Sequence, residues 1–352
     1  MKRKINIGII GCGRVAEHYH KILSTKVNKK LYKISAVCDI KKKNLKKFKN
    51  IFNCKGYLNY QLMVKENHFD LIFVLTPSGN HFQIVKNLLK KKINILCEKP
   101  LTLLTKETDE LNKLAKKNKV MLCVAFQNRL NPAVVYLKKC IDEKRFGKIV
   151  KASVSLLWCR YQNYYNDDWH GTWKMDGGVI NQQAIHYIDI LRWLFGPVKE
   201  VFCYMGNRIN KLEAEDTAVA TLKFNNDSLG TIEATTAARP VDIHASLSVV
   251  GSKGTIVLSG LALNKINRII GLKNSKKIMN KYSENIKNGY GKSHYRLINK
   301  IIKNIMNNKI SSPIGANESY KTTELIHAMY SSHEQNKPIV INKKIVSKKL
   351  GR

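Results

Sequence analysis

Three residues with distinct chemistry, Glu98, Lys99 and Pro100, directly follow the apolar run INILC. Such a run is typical of a buried strand, and removing a carboxylate or an ammonium from water is unfavourable unless another group compensates. Lys99 could donate a hydrogen bond to a substrate hydroxyl, stabilise a developing alkoxide or, with a lowered pKa, accept a proton. The alternatives are an ion pair with Glu98 and a side chain that extends to solvent.

A second motif lies at the start of the chain. The stretch IGIIGCGRVAEHY places Gly11, Gly13 and Ala16 as GxGxxA between a predicted strand and a predicted helix. In a dinucleotide-binding turn, the first glycine allows the tight turn and the second lets the backbone approach a pyrophosphate. Asp39 falls 23 residues after Ala16, where a carboxylate would accept a hydrogen bond from the ribose 2′-hydroxyl. Because a carboxylate repels a 2′-phosphate, the sequence predicts NAD rather than NADP.

Short apolar runs alternate with amphipathic stretches through the first 125 residues, which predicts βαβ units around a parallel sheet. The predicted strands are Lys4–Ile10, Lys33–Cys38, Leu71–Leu75, Asn94–Cys97 and Met121–Ala125. The predicted helices are Val15–Leu23, Lys41–Ile51, Asn80–Leu89 and Lys106–Lys117. The carboxyl ends of such strands line the ligand crevice, so Thr76, Pro77 and His81 are predicted to lie at the same edge as Lys99.

From about residue 148 the pattern changes to alternating apolar and polar positions, which predicts an antiparallel sheet. One helix, Asn181–Phe195, is predicted within this region. Gln182, His186 and Asp189 are spaced i, i+4 and i+7, so on one continuous helix they would project from the same face. A lone helical histidine can equally be a core or capping residue.

The C-terminal region predicts two more helical pieces between residues 294 and about 333, separated by NNKISSPIGANE. The predicted fold class is therefore α/β, with two domains. A nucleotide-binding domain is predicted over residues 1–125. Residues 126–352 are predicted to form a second α/β domain built on an open antiparallel sheet, with C-terminal helices that pack back.

The composition limits the function classes. The chain of 352 residues has a formal net charge of +37, but its lysines are scattered beside Asn and Ile on helix-like stretches. This pattern predicts solvated helix faces and no specific nucleic-acid partner. The 8 cysteines form no CxxC pair, which predicts reduced core residues and no metal site. Because no run reaches the roughly 18 apolar residues of a membrane span and no signal peptide is evident, we expect a cytoplasmic protein.

GxGxxA, then TPSGNH, then EKP resemble the Gfo/Idh/MocA family of nicotinamide-dependent sugar oxidoreductases. The resemblance implies a Rossmann domain followed by an α/β domain with an open antiparallel sheet. It also implies that Lys99 lies beside the nicotinamide, before a proline that is commonly cis. The string KMDGGVINQQAIHYIDILRWLFG matches the family's glycine pair and the helix that carries its catalytic histidine, which falls on His186.

One position departs from the family pattern. Many members carry an aspartate four residues before the histidine, whereas this chain has Gln182, which cannot take a proton. The Asp–His relay of those relatives is not expected here. Lys99 and His186 are then left to share the acid–base work.

Longer strings narrow the resemblance within the family. AFQNRLNP, YYNDDWHGTWKMDGG, EAEDTAVATLKF and the closing SKKLG resemble the branch that oxidises C3 of UDP-N-acetylglucosaminuronic acid with NAD. That branch implies a 3-keto product for an aminotransferase in surface-polysaccharide (O-antigen) synthesis, and some members reoxidise NADH with 2-oxoglutarate. The alternatives are a UDP-N-acetylglucosamine 3-dehydrogenase for lipid A and a noncatalytic NAD-binding sensor. Relatives commonly associate through the open sheet, which implies a homo-oligomer.

Position and resemblance together define the predicted site. The residues predicted to bind the cofactor are Gly11, Gly13, Arg14, Val15, Asp39, Thr76, Pro77, His81, Glu98, Lys99 and Gln127. For the uronate and the diphosphate, the predicted arginines are Arg129, Arg160 and Arg239, because guanidinium groups suit carboxylates and phosphates. The side chains predicted to flank the sugar are Tyr164, Tyr165, Trp169, Trp173, Asn181 and Gln182. Each of these aromatic residues could instead belong to the core.

Overall fold

The computed structural model of the chain describes residues 3–24, 31–286, 289–341 and 345–352. It divides into two compact units, the first made of Met1–Ala125 with His294–Tyr320 and the second of Phe126–Ser293 with Lys321–Arg352. Both units combine helices with a sheet, so the predicted α/β fold class is confirmed. Residues 294–320 belong to the first unit, whereas the sequence predicted that all residues after 125 lie in the second domain.

The strands are β1 Ile5–Ile10, β2 Tyr32–Cys38, β3 Lys55–Tyr57, β4 Leu71–Val74, β5 Asn94–Cys97, β6 Leu122–Val124, β7 Ile149–Leu157, β8 Val198–Gly206, β9 Thr217–Phe224, β10 Leu229–Thr235, β11 His244–Gly251, β12 Gly254–Ser259, β13 Lys265–Ile270 and β14 Ile339–Val340. The α-helices are α1 Arg14–Leu23, α2 Lys42–Phe52, α3 Tyr60–Glu66, α4 His81–Lys90, α5 Thr105–Asn118, α6 Pro132–Asp142, α7 Val179–Gln182, α8 Ile185–Phe195, α9 Ser275–Tyr282, α10 Ser293–Met306 and α11 Ala316–Gln335.

The sheet of the first unit is parallel, with the strand order β3-β2-β1-β4-β5-β6. Its central strands are buried almost throughout, as expected for a parallel sheet covered by helices. All five strands predicted here are confirmed to within about one residue. The sequence missed β3 and α3, because a strand of three residues with Lys and Gly in it has no readable periodicity.

The sheet of the second unit has eight strands in the order β13-β12-β11-β7-β10-β9-β8-β14. Adjacent strands in this sheet are antiparallel, except for β7 and β10, which run parallel to each other. Side chains alternate along β7, where Ala152, Val154 and Leu156 are buried, whereas Ser153 and Ser155 are half-buried. The helix α8 packs beside β7 and is buried at nine of its eleven positions. Within the described parts of the chain, no helix is both long and apolar enough to span a membrane.

The single helix predicted over Asn181–Phe195 is wrong, because the structure has two helices there. The Ala184 amide donates a hydrogen bond to the Val179 carbonyl, five residues earlier rather than four. This wider turn ends α7 and shifts the phase of the helical ladder before α8 begins. Gln182 therefore lies on a different helix from His186 and Asp189 and does not share their helical face.

Candidate functional site

The strand order of the first unit reverses between β1 and β4, which is the point where parallel α/β sheets bind ligands. The loops after β1, β4 and β5 meet at this edge. The Leu75 amide donates to the Ile10 carbonyl at 2.8 Å, and the Glu98 amide donates to the Val74 carbonyl at 2.9 Å. These bonds bring the GxGxxA turn, the TP turn and the EKP turn to one crevice, as the sequence predicted.

Glycine is favoured at Gly11 and at Gly13 for different structural reasons. Gly11 has φ +94°, and an added Cβ would lie 2.6 Å from the carbonyl carbon and oxygen of Leu75. Gly13 begins α1, and its added Cβ would meet no atom within 4 Å among the described residues. An open space over a backbone at a helix N-terminus is what a pyrophosphate needs. The residues present therefore fit a dinucleotide.

Replacing each glycine with alanine is expected to separate folding from cofactor binding. Gly11→Ala forces a positive φ and a clash with Leu75, so we expect the free energy of unfolding to fall by at least about 2 kcal/mol. Gly13→Ala should leave the thermal unfolding midpoint unchanged and weaken NAD binding about tenfold, equivalent to about 1.4 kcal/mol. Thermal unfolding and titration calorimetry with NAD measure the two effects. Unchanged NAD affinity in Gly13→Ala would contradict this interpretation.

Asp39 follows β2 and braces the same turn. Its carboxylate accepts hydrogen bonds from the backbone amides of Cys12 and Lys41, each at 2.7 Å. Carboxylate oxygens have about four acceptor positions, so two remain for the ribose hydroxyls. Ile40, the next residue, is 83% exposed. Asp39 therefore lies beside the GxGxxA turn at the end of β2, and its discrimination between NAD and NADP stays a prediction.

The remaining predicted cofactor residues of this unit occupy the same edge. At the N-terminus of α1, Arg14 is exposed and Val15 is half-buried. Thr76 and Pro77 are half-buried after β4, and the Thr76 hydroxyl has no hydrogen-bond partner in the described part of the chain. His81 is buried, with its ring nitrogens 2.7 Å from the Pro100 carbonyl and 2.8 Å from the Thr76 carbonyl. It therefore joins the TP turn to the EKP turn.

Glu98 is buried within a set of hydrogen-bond donors. Its Oε1 accepts from the Tyr19 hydroxyl at 2.9 Å and lies 3.4 Å from Nε2 of His294, while Oε2 accepts from the Lys99 amide at 3.2 Å. Burial raises the pKa of Glu98, but the hydrogen bond and charge of His294, the charge of Lys99 and the Tyr19 hydroxyl outweigh it and bring the pKa to about 2. Glu98 is therefore ionised at neutral pH.

These contacts place the Lys99 backbone. Lys99 is half-buried, and its peptide bond to Pro100 is cis, as the resemblance implied. The carboxylate of Glu98 is held by Tyr19 from α1 and by His294 from α10, so the position of the Lys99 amide is fixed by two separate helices. Tyr19 and His294 were not among the predicted site residues, because nothing in their local sequence points to Glu98.

In the second unit, His186 is an exception on its helix. Every other residue of α8 except Trp193 is buried, whereas His186 is half-buried. Its ring lies edge-on to that of Phe126, with 6.1 Å between the centroids. A partly exposed histidine on an otherwise buried helix is available for chemistry in a way that a core histidine is not.

Arg129 is an internal residue in this unit, with a relative exposure of 5%. Its Nε and Nη2 each donate to a different oxygen of Asp189 at 2.6 Å, and Asp189 is fully buried and also accepts from the Thr322 hydroxyl at 2.7 Å. A bidentate buried pair of this kind leaves the guanidinium committed to Asp189. The structure therefore gives Arg129 a role in packing α8, and its contact with the uronate or the diphosphate stays a prediction.

The helix α7 carries Asn181 and Gln182, both buried. The Gln182 amide nitrogen donates to Asp176 Oδ1 at 2.9 Å, and Asn181 Nδ2 donates to the Asp176 carbonyl at 2.5 Å. The Asn181 Oδ1 atom is buried without a hydrogen-bond partner among the described residues. The Gln127 Oε1 atom is likewise buried without a hydrogen-bond partner among the described residues. Buried amides with an unmet acceptor are suited to a ligand or a water molecule.

The predicted aromatic residues have different environments. Tyr165 is buried and donates its hydroxyl to Thr236 Oγ1 at 2.7 Å, so it belongs to the core. Trp169 is half-buried, and its ring lies on the His170 ring with 3.5 Å between centroids. Tyr164 is half-buried, and its ring also contacts His170. The half-buried Trp173 contacts the ring of Tyr330, with 5.2 Å between centroids. The half-buried rings, not Tyr165, are available to a ligand.

Arg160 and Arg239 lie close together, since Arg239 Nη2 donates to the Arg160 carbonyl at 3.1 Å. The Arg239 guanidinium also donates to the Thr236 and Ala238 carbonyls and to Asn210 Oδ1. Arg160 uses only Nη1, which donates to the Cys159 carbonyl and to Asp242 Oδ1 at 2.8 Å. Its Nε and Nη2 therefore have no protein acceptor in the described residues, which makes it the better of the two for binding an anion.

A GxGxxA turn at the reversal point of a parallel sheet, with a lysine after the fifth strand, defines an NAD-binding oxidoreductase fold. The chain belongs to the Gfo/Idh/MocA family. Residues 5–126 match the family model described as the oxidoreductase family, NAD-binding Rossmann fold, and residues 134–257 match the GFO/IDH/MocA C-terminal domain. The prediction of NAD as cofactor is confirmed by this match.

Among curated proteins, the chain is 28% identical over 239 residues to the uncharacterized oxidoreductase YrbE of Bacillus subtilis, covering 66% of this chain and 67% of that protein. It is also 28% identical over 258 residues to myo-inositol 2-dehydrogenase of Thermotoga maritima, covering 72% and 74%. Among solved structures, the WlbA dehydrogenase of Chromobacterium violaceum with NADH and UDP-GlcNAcA is similar over 98% of both chains, with 29% identity and a TM-score of 0.90. The WlbA dehydrogenase of Bordetella pertussis with the same ligands covers 97% and 99%, with 27% identity and a TM-score of 0.90.

Proposed function

We propose that this protein oxidises the C3 hydroxyl of UDP-N-acetylglucosaminuronic acid to the 3-keto sugar, with NAD as hydride acceptor, in nucleotide-sugar synthesis for a surface polysaccharide. The observation that carries the proposal is the likeness, over 98% of both chains, to a dehydrogenase crystallised with NADH and UDP-GlcNAcA. Lys99 and His186, the two residues expected to do acid–base chemistry, are both present and both half-buried. This combination favours catalysis over a noncatalytic sensor.

The proposed mechanism assigns charge stabilisation to Lys99. NAD, when bound, supplies the hydride acceptor. As the C3 hydroxyl loses its proton, negative charge develops on the C3 oxygen, and the Lys99 ammonium stabilises it. Glu98 supports this role indirectly, because its ionised carboxylate fixes the Lys99 amide through a 3.2 Å hydrogen bond. Glu98 itself is buried and already accepts three hydrogen bonds, so it orients Lys99 and takes no proton.

His186 is the proposed acceptor of the C3 hydroxyl proton. An imidazole is a common general base in enzymes, because its unprotonated ring nitrogen can accept a hydroxyl proton. The family's usual carboxylate partner is replaced by Gln182, whose amide nitrogen donates to Asp176. The Gln182 side chain thus makes a structural hydrogen bond and does not relay a proton.

Arg160 is the proposed contact for the uronate or the diphosphate. Its guanidinium lies over the Trp158 ring at 4.9 Å and is held by Asp242, which orients it while leaving Nε and Nη2 available in the described structure. A guanidinium with two adjacent free donors can bind a carboxylate in a bidentate manner. The Tyr164 ring lies 5.7 Å from the same guanidinium and would border this contact.

A substrate comparison tests the proposal. Purified protein with NAD is offered UDP-N-acetylglucosaminuronic acid or UDP-N-acetylglucosamine, with and without 2-oxoglutarate, and NADH is followed by its absorbance. We expect NADH only with the uronate, and a loss of that preference in Arg160→Met. NADH only with the neutral sugar would assign the protein to the lipid A branch instead. A rise in turnover with 2-oxoglutarate would show that NADH is recycled in place.

We also propose a homo-oligomer formed through the open face of the second sheet. A row of laterally paired residues crosses this face: Tyr204, Val219, Glu233, Ser155 and Ser246. Tyr204 is 60% and Val219 is 54% exposed, which is unusual for large apolar side chains in the middle of a sheet. Light scattering would measure the mass in solution, and a monomer would contradict this proposal.

A further inference from the structure

A second buried carboxyl group, Glu215, lies in the loop before β9 and has a relative exposure of 2%. Its Oε1 accepts hydrogen bonds from the Ile180 amide at 2.9 Å and from the Tyr330 hydroxyl at 3.0 Å. Its Oε2 is buried with no hydrogen-bond partner among the described residues. No described Lys, Arg or His forms an ion pair with it. An ionised carboxylate in such a place is unfavourable.

The backbone around Glu215 is equally tight. The Val179 amide donates to the Glu215 carbonyl at 2.9 Å, and the Gly178 amide donates to the Tyr330 hydroxyl at 3.2 Å. A Cβ added to Gly178 would lie 2.1 Å from the Glu215 carbonyl oxygen and 2.4 Å from its Oε2. Glu215 and Tyr330 together therefore hold the backbone amides of residues 178–180 at the start of α7.

Asp176 makes further hydrogen bonds near the start of α7. Its carboxylate accepts from the Gln182 amide nitrogen at 2.9 Å and from the Gly171 amide at 3.2 Å. Residues 176–182, which include Asn181 and Gln182, are thus held between two buried carboxyl groups. The charge of Asp176 also acts on Glu215, because two carboxylates in a poorly solvated region disfavour double ionisation.

The surroundings of Glu215 favour its neutral form. The pKa of Glu215 is raised to about 7 by the sum of these effects. Burial is the largest cause and the charge of Asp176 also raises the pKa, whereas the Ile180 amide and the Tyr330 hydroxyl lower it. The other titratable groups that face it are Tyr330 and Cys203, and burial raises the pKa of each, so both stay neutral at neutral pH. In its protonated form, Glu215 keeps Oε1 as acceptor and carries the proton on the unpaired Oε2.

We propose that Glu215 is a positioning residue, whose neutral form holds residues 177–182 in place and whose ionisation loosens them. The inference rests on the proposed function in one respect, namely that Asn181 and Gln182 contact the sugar. The folded-state pKa lies above the ordinary value, so the stabilising effect is complete below about pH 4.5 and is lost as the pH rises through about 7. Substrate binding should weaken over the same upper range.

Amide hydrogen exchange of the peptide that spans residues 177–182 tests the inference without any ligand. After correction for the intrinsic pH dependence, exchange in the wild type should increase at least about threefold between pH 6 and pH 8.5. In Glu215→Gln, which mimics the neutral acid, it should stay constant. Glu213→Gln, two residues away and exposed, is the matched control and should behave as the wild type. Equal exchange profiles in the wild type and Glu215→Gln would overturn the inference.

A second variant tests the same charge in another way. Tyr330→Phe removes a donor that favours the ionised form, so the pH at which exchange rises should move upward. In parallel, KM for the UDP-sugar should rise about threefold above pH 7 in the wild type only, with kcat unchanged. An unchanged midpoint in Tyr330→Phe or a KM that rises equally in Glu215→Gln would overturn the positioning role. If no UDP-sugar is turned over while the exchange contrast persists, the proposed function fails and the inference about the segment stands.

Discussion

Replacing Lys99 with methionine is expected to lower kcat by about 10³-fold while the protein remains folded and still binds NAD. The side chain length is preserved, so the main change is the loss of the ammonium that stabilises the developing alkoxide. The Glu98 contacts to Tyr19 and His294 do not involve the Lys99 side chain and should survive. NADH formation, thermal unfolding and NAD titration on the same preparation measure the three quantities.

The control for this variant is Lys106→Met, which removes an equally charged but exposed lysine of α5. It should retain wild-type turnover. The two results together separate a local role of Lys99 from an effect of the high net charge of +37 on the binding of anionic ligands. A loss of less than about tenfold in Lys99→Met, with NAD still bound, would contradict the proposed role.

Replacing Arg129 with methionine is expected to lower the free energy of unfolding by about 3–5 kcal/mol. The variant leaves Asp189, which is fully buried, without the two charge-assisted hydrogen bonds that now compensate it. The Thr322 hydroxyl and Arg192, whose Nη2 lies 3.9 Å from Asp189 Oδ1, compensate only in part. Chemical denaturation measures the loss.

Two further variants make this test specific. The double variant Arg129→Met with Asp189→Leu removes both charges and should recover most of the lost stability, because a buried pair can be replaced by apolar residues with little net effect. Arg145→Met, which breaks an exposed pair with Glu143, should not shift the denaturation midpoint. If the double variant is no more stable than Arg129→Met alone, the unpaired Asp189 charge is not the cause of the loss.

Much of the first unit could be predicted from the sequence, because its signals are local. Alternating apolar and amphipathic runs located five of its six strands, and GxGxxA with Asp39 predicted a dinucleotide turn that the structure shows. The EKP turn was expected at the same edge because parallel strands end on one side of their sheet. Each of these inferences needed only residues that are near in the chain or follow equivalent strands.

The features that the sequence could not predict depend on contacts between distant residues. The ion pair of Arg129 with Asp189 joins residues 60 positions apart, and Glu98 is held by Tyr19 and His294, which are separated from it in opposite directions along the chain. The break between α7 and α8 depends on one hydrogen bond that spans five residues instead of four. The spacing of apolar residues in the sequence does not reveal a shift of one residue. Arg129 was therefore predicted to bind substrate, although the structure pairs it internally.

Oxidation at C3 can be followed in a single-turnover reaction with UDP-N-acetylglucosaminuronic acid that carries deuterium at C3. NADH is isolated and its mass is measured. We expect the NADH to contain one deuterium atom and the sugar product to be the 3-ketone, and we expect Lys99→Met to form neither at a comparable rate. Unlabelled NADH, or no NADH from a protein that binds both NAD and the sugar, would contradict oxidation at C3.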